Sequence, residues 1–348
     1  MGTIILKILI LGGTSFLGPH LVEEAQQRGH EITLFNRGTQ ESSRFPQVEK
    51  LRGDRDGHLE ALQGREWDAV IDTSGHVPRI VEASSKLLAN STPHYTFISS
   101  ISVYENFNQS GIEEDYPLAQ LDNPDTEEIT EKTYGALKAR CEQVVEQYFP
   151  VRSLIVRPGL IVGPDDPTDR FTYWPCRVRD GGDILAPVDP TAYVQFIDVR
   201  DLSKWIIDMI EEQATGVYNV VGEPIAFETL VSECQKVTQS DATIHWVSED
   251  FLIEHQVGDW VELPLWLSSQ RKIPGFLHIS SKKACGMGLA SRPLAETISA
   301  TLEWNAKRQN VVPKAGLNRE QERKLLELWQ KATLLRESSS IVARFSLF

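Results

Sequence analysis

Hydrophobic residues in the first two-thirds of the chain come in two alternating textures. Ile4 to Leu11, Glu31 to Phe35, Trp67 to Asp72, Tyr95 to Ser99 and Ser153 to Val156 are short runs that are apolar or β-branched at most positions. Between them, Gly18 to Arg28, Val81 to Leu88 and Thr133 to Tyr148 carry amphipathic, helical spacing. A strand buried on both faces shows no polar alternation, whereas a covering helix shows a period near 3.6. The pattern therefore predicts βαβ units building an α/β fold, a Rossmann-type doubly wound parallel sheet.

After about Val162 the texture changes. Gly163-Pro164-Asp165-Asp166-Pro167 reads as a loop, and the residues beyond it are rich in Trp, Tyr, Pro and Gly. Gln195 to Val199 and a helix from Asp201 to Glu212 read as returns to the main sheet. The expected organisation is a dinucleotide-type domain over 1–165, with returns at about 195–225. A smaller, interleaved substrate lobe covers 166–317, and a charged C-terminal helix (Asn318 to Leu335) with a loose tail covers 318–348.

Composition narrows the setting. The 348 residues are 41% hydrophobic and 24% charged, as in an ordinary soluble globular protein, and carry a net charge of -14. Such an acidic balance disfavours nucleic acid and anionic membranes as partners. Cys141, Cys176, Cys234 and Cys285 are scattered, so neither a zinc site nor a disulfide scaffold is expected, and no metal is assigned. No apolar run approaches a membrane span, and the first residues lack the features of a secretory leader. Leu6 stands where a myristoylation signal needs Ser or Thr. A cytoplasmic protein is the expectation, with a small-molecule substrate and a homodimer as the candidate assembly.

The strongest local motif is Leu11-Gly12-Gly13-Thr14-Ser15-Phe16-Leu17-Gly18, which follows a buried strand and opens a helix. In that context glycines let backbone N–H groups and a helix N-terminus approach a pyrophosphate. Ser15 replaces the usual middle glycine. The second strand ends Phe35-Asn36-Arg37-Gly38, without the carboxylate that would hold a ribose 2′-hydroxyl. An arginine there suits a 2′-phosphate, so NADP(H) is preferred over NAD(H).

Two further elements suggest proton chemistry. Tyr134 and Lys138 are spaced i, i+4, which puts phenol and ammonium on one helical face. A fixed cation there would lower the tyrosine's pKa toward the range of a general acid/base. Ser99-Ser100-Ile101-Ser102-Val103-Tyr104 ends a strand, where ligands of parallel sheets bind. Ser100 would there hold a substrate oxygen; strand-end and cap chemistry is the structural alternative.

Glycine turn, Ser-Ser-x-Ser-Val-Tyr strand end, Tyr-x-x-x-Lys and Arg157-Pro158-Gly159, in this order, resemble the extended short-chain dehydrogenase/reductases, the NAD-dependent epimerase/dehydratase family. Phe196 to Asp201 and Arg292 to Ile298 extend the resemblance over most of the chain. It implies Ser100, Tyr134 and Lys138 as catalytic residues, with Lys138 also binding the nicotinamide ribose. It implies cofactor contacts from Gly12, Thr14, Ser15, Phe16, Leu17, Asn36, Arg37, Asp54, Arg55, Thr73, Ser74, Ser99 and Pro158, with Asp54 meeting the adenine amino group. The turn and the Phe-Asn-Arg-Gly segment are most similar to an atypical branch that includes chloroplast stem-loop RNA-binding proteins, several of which lack the catalytic pair.

Departures from the family pattern matter. Members that bind nucleotide-diphospho-sugars usually read Arg-Asp-Phe-Ile-His-Val where this chain has Val194-Gln195-Phe196-Ile197-Asp198-Val199. Loss of that arginine removes a charge pair of roughly 2 to 5 kcal/mol. Candidate substrate contacts are His76, Arg170, Tyr173 and Trp174. His76 could instead be structural, and Arg170 could pair with Asp166 or Asp169. Trp260, Leu263, Leu265 and Trp266 suggest a lid or lobe core, or a sugar-stacking or dimer surface. The run Glu105 to Glu131, acidic and without Lys or Arg, suggests a solvated loop over the cleft. The reading is an NADP(H)-dependent oxidoreductase or epimerase-like enzyme acting on a carbonyl or hydroxyl of a small polar substrate. A non-catalytic member binding cofactor and RNA or a protein is the alternative.

Overall fold

A computed structural model describes residues 4–38, 44–187, 189–309 and 311–345, with side chains described to residue 335. The chain divides into two compact units, the first made of Met1–Asp165, Gln195–Glu223 and Ile273–Arg292. Its centre is a seven-stranded sheet. Six of the strands are β1 (Lys7–Leu11), β2 (Glu31–Asn36), β3 (Glu49–Arg52), β4 (Ala69–Asp72), β5 (His94–Ile98) and β6 (Ser153–Pro158); the seventh is Gly216–Val220. The spatial order is Gly216–Val220, β6, β5, β4, β1, β2, β3, and every pairing is parallel.

The near-continuous apolar runs are explained by burial on both faces. Ile8 and Ile10 of β1 face one hydrophobic layer, while Leu9 and Leu11 face the other. The first layer is closed by α1 (Leu17–Gln27) and the helix Val199–Glu211. The second is closed by α2 (Pro78–Leu88) and α3 (Tyr134–Tyr148). Chain order reverses between β1 and β4, and a doubly wound sheet opens its ligand crevice at such a point.

Some expected boundaries change. The first strand begins at Lys7, because Ile4 and Ile5 are exposed and pair with nothing in the sheet. Edge strand β3 was not anticipated; its burial pattern leaves Leu51 alone inward, so it lacks the apolar run that marks the others. Gln195 to Val199 does not join the main sheet. Only Ile197–Asp198 is extended, pairing with Ile161–Val162.

The second unit comprises Asp166–Val194, Pro224–Lys272 and Pro293–Phe348. Strands Asp183–Pro187 and Thr243–Val247 pair in parallel, and Tyr193–Val194 pairs antiparallel with Ile225–Ala226. Trp174, Phe227 and Trp246 meet edge to face, and Leu263, Leu265 and Trp266 are buried. The last three are thus lobe core. A C-terminal helix spans Arg319–Phe345, so residues expected as tail continue the helix; 346–348 lie outside the described residues. Among the described residues no helix is long and apolar enough to cross a membrane.

Candidate active site

The carboxyl ends of β1, β2, β4, β5 and β6 surround a cavity of about 690 Å³. Its lining includes Gly12, Thr14, Ser15, Phe16, Leu17, Asn36, Arg37, Asp54, Arg55, Thr73, Ser74, His76, Ser99, Ser100, Tyr134, Lys138 and Pro158. Every cofactor and catalytic residue expected above, with His76, therefore shares one cavity.

The glycine turn is built for close approach. Gly12 and Gly13 adopt φ values of 100° and 78°, and a Cβ on Gly12 would lie 2.5 Å from the Thr73 hydroxyl. At Gly18 a Cβ would fall 2.3 Å from the Gly13 Cα, so the helix sits directly on the turn. Phe16, at the N-cap of α1, is held at φ 43°, and its side chain makes no capping hydrogen bond. Thr73 pins the turn from β4: its hydroxyl donates to the Leu11 carbonyl at 2.9 Å and accepts from the Gly13 N–H at 3.3 Å.

Tyr134 opens α3 beside the end of β5. Ser100 caps the short turn Ile101–Val103, its hydroxyl accepting from the Ser102 N–H at 3.1 Å. A Cβ on Gly135 would sit 1.9 Å from the Ser102 carbonyl oxygen. Helix and strand end thus touch backbone to backbone, and this contact fixes Tyr134 relative to Ser100. Burial raises the tyrosine's pKa and the Ser100 hydroxyl opposes the rise, so the resting phenol keeps its proton.

Lys138 lines the cavity one helical turn along α3 from Tyr134. Its ammonium is buried, donates to the Gly75 and Ile98 carbonyls at 2.6 and 2.7 Å, and lies over the Phe97 ring. Burial pulls its pKa down to about 8, and it does not figure among the causes that shift Tyr134. In this arrangement the lysine ties β4 to β5 beneath the cavity.

His76 stands at the cavity rim with its ring 6.3 Å from that of Tyr134. The protein packed behind it, and then the Lys138 ammonium, disfavour the imidazolium, leaving a neutral ring at physiological pH. Arg55 lines the cavity, but its guanidinium is engaged behind it: two nitrogens bond Asp72 at 2.6 and 2.7 Å, and one also bonds Ser84. Tyr95 donates to the same carboxylate at 3.0 Å. Arg55 is thus a support of the β4 end more than a ligand. Sequence spacing carries no sign of this buried network, nor of Ile129, which the acidic segment contributes to the cavity.

The remaining substrate candidates lie in the second unit and line a different environment. Trp174 has no exposed surface, and its indole N–H donates to the Pro264 carbonyl at 2.8 Å. It is a core residue, not a ligand contact. Tyr173 packs edge-on against Trp174 and flat against Gly316, whose Cβ would lie 2.0 Å from the ring. Of the two carboxylates expected for Arg170, Asp169 is taken by Arg308, while Asp166 acts on the guanidinium through its charge without a hydrogen bond; Arg170 lies over Trp260. Among the described residues no cluster of His, Cys, Asp and Glu could hold a metal ion.

Residues 8–221 match the model of the NAD dependent epimerase/dehydratase family. The chain belongs to that family. A chloroplast stem-loop binding protein of 41 kDa from Arabidopsis thaliana is 27% identical over 255 residues, 66% of this chain. The chain spans 62% of that relative's length. A putative epimerase from Burkholderia cenocepacia aligns with a TM-score of 0.67 at 17% identity, over 88% of this chain and all of the other. UDP-glucuronic acid 4-epimerase from Bacillus cereus, solved with NAD, aligns at 0.61 and 17%, over 86% of this chain and 96% of its own. These structures share the Rossmann-like fold.

Proposed function

We propose that this family member is an NADP(H)-dependent oxidoreductase or epimerase-like enzyme acting on a carbonyl or hydroxyl of a small polar substrate. One observation carries the reading: Ser100, Tyr134 and Lys138 line the same cavity as the glycine turn and the open N-terminus of α1. A nicotinamide dinucleotide fits those residues. The positive φ of Gly12 and Gly13 turns the backbone tightly beside the cavity, the N-cap residue Phe16 makes no side-chain capping bond, and the buried Ser99 hydroxyl has no hydrogen-bond partner. Gly12, Thr14, Ser15 and Phe16 would hold the diphosphate, Asn36 and Arg37 the adenosine ribose, and Asp54 the adenine. Arg37 supports NADP(H): it stands exposed at the rim, makes no ion pair among the described residues, and has no acidic residue beside it at the end of β2.

The bound cofactor supplies the hydride chemistry. The chain supplies position and a proton. Ser100 holds the substrate oxygen, and Tyr134, protonated at rest, delivers its phenolic proton to that oxygen or takes one back. The test pairs cofactor titration with a nicotinamide absorbance assay over a panel of carbonyls and alcohols. Tyr134→Phe should bind NADPH as before while turnover falls to background; undiminished turnover removes the proposed proton carrier.

Similarity to a stem-loop binding protein supports a second reading, a member that binds RNA without catalysis. The net charge of -14 opposes it. Stem-loop RNA titrated at two salt concentrations separates the two readings: phosphate contacts give a steep salt slope, and no binding closes the branch.

A further inference from the structure

We propose that the second unit carries an oxyanion-binding site centred on Arg170, built for a carboxylate or phosphate group. Arg170 sits in the loop before the helix Tyr173–Arg179, partly buried, with its guanidinium 5.2 Å from the centroid of the Trp260 ring. Asp169 is occupied elsewhere, and Asp166 acts on the guanidinium through its charge without a hydrogen bond to it. Asp169 bonds Arg308 and the Lys314 N–H. Asp166 directs one oxygen to the backbone N–H and hydroxyl of Thr168, at 2.8 and 2.7 Å. Among the described residues the guanidinium itself has no ion pair and no hydrogen bond.

An arginine cannot shed its proton, and it carries five N–H donors in one plane. Removing such a group from water without pairing it is unfavourable, and desolvation indeed weakens the hold of Arg170 on its proton. Trp260 covers one face of the guanidinium and leaves the donors at its edge unused. Donors in a plane match the two oxygens of a carboxylate or phosphate.

Two independent features point the same way. The second oxygen of Asp166 is buried and has no hydrogen-bond partner, and burial holds this carboxyl above the usual range against the bonds from Thr168 and the charge of Arg170. In its protonated form it would donate to the same ligand. Two non-glycine residues at the arginine, Asp169 and Trp260, adopt positive φ values of 60° and 63°. Backbone strain of this kind concentrates at ligand sites. Trp260 is also fixed in place, its N–H donating to the Trp266 carbonyl at 3.0 Å.

The test uses the full chain and compares it with Arg170 variants, in which any anion taken by the glycine turn binds unchanged. Inorganic phosphate and malonate are titrated separately by calorimetry. Saturable binding of one or both is expected, weakened tenfold or more by Arg170→Gln and only partly by Arg170→Lys, with the exposed Arg323→Gln as an unaffected control. Phosphate alone identifies a phosphate site; malonate alone identifies a carboxylate site. Urea midpoints check that each variant is folded, and Trp260→Leu gives a second variant expected to weaken binding. No saturable binding of either anion, or equal affinity in Arg170→Gln, overturns the proposal.

Discussion

Adding one methyl group at Gly135 tests whether the site is held by backbone contact. Alanine in a helix interior is ordinarily favoured over glycine by about 1 kcal/mol, so propensity alone predicts a more stable protein. Here the new Cβ would lie 1.9 Å from the Ser102 carbonyl oxygen, and ordinary contact begins near 3.4 Å. Helix α3 and the Ser100–Val103 turn must therefore part by roughly 1.5 Å, the difference of those two distances. Overpacking of this kind costs about 1–3 kcal/mol, which reverses the sign. The displacement also separates Tyr134 from Ser100, and misplacement by about 1 Å lowers rates about 100-fold. Urea unfolding and the nicotinamide absorbance assay on Gly135→Ala read the two effects. Gly286→Ala is the control, since a Cβ at Gly286 meets nothing within 4 Å. A Gly135→Ala protein as stable as the parent, with unchanged activity, would refute the idea that this contact positions the tyrosine.

Other expectations follow from single interactions. Arg37→Glu should weaken NADPH at least tenfold while leaving NADH nearly unchanged, and equal losses for the two cofactors would show that Arg37 does not read the 2′-phosphate. Arg157 and Glu142 form a buried pair at 2.7 Å, so Arg157→Leu should cost about 3–5 kcal/mol in urea unfolding, and much of that should return in a double variant with Glu142→Leu. Lys138 releases its proton at about 8 in the folded chain but near 10.4 when unfolded, so the unfolded chain binds more protons in that window. Stability of the parent relative to Lys138→Met should therefore rise by about 3 kcal/mol as pH climbs from 8 to 10.5, and a flat difference would contradict the buried ammonium.

What could be read from sequence was whatever local chemistry determines. β1 is legible because burial on both faces leaves no polar position between Ile8 and Leu11. The glycine turn is legible because φ values of 100° and 78° exclude other residues. β3 was invisible because an edge strand needs one inward residue, and a lone Leu51 makes no pattern. Arg55 was read as a ligand from its place beside Asp54, yet its partner, Asp72, is 17 residues away and brought close only by the sheet. Trp174 failed for a similar reason: an aromatic after a loop looks the same whether its indole faces a ligand or the Pro264 carbonyl. Lys138 shows a further limit, since i, i+4 spacing fixes a shared helical face but not where a long side chain ends.

The family relationship constrains the proton chemistry more tightly than the substrate. Val194, where nucleotide-sugar enzymes resemble one another in carrying an arginine, is fully buried and paired in a short strand with Ile225. Gln195 is equally committed: its amide donates to the Gly222 and Ile279 carbonyls, both at 2.9 Å, and accepts from the Ile279 N–H at 2.8 Å. Neither residue can reach for a diphosphate without breaking the core or leaving three buried polar groups unpaired, each costing about 1–3 kcal/mol. A nucleotide-diphospho-sugar would thus meet no cation at this position. By contrast, the glycine turn, the Ser100 strand end and the Tyr134 face of α3 all belong to the first unit and are joined by close approach to the Thr73 hydroxyl at Gly12 and to backbone at Gly18 and Gly135. Steric need thus holds that constellation together within this chain, whatever the substrate.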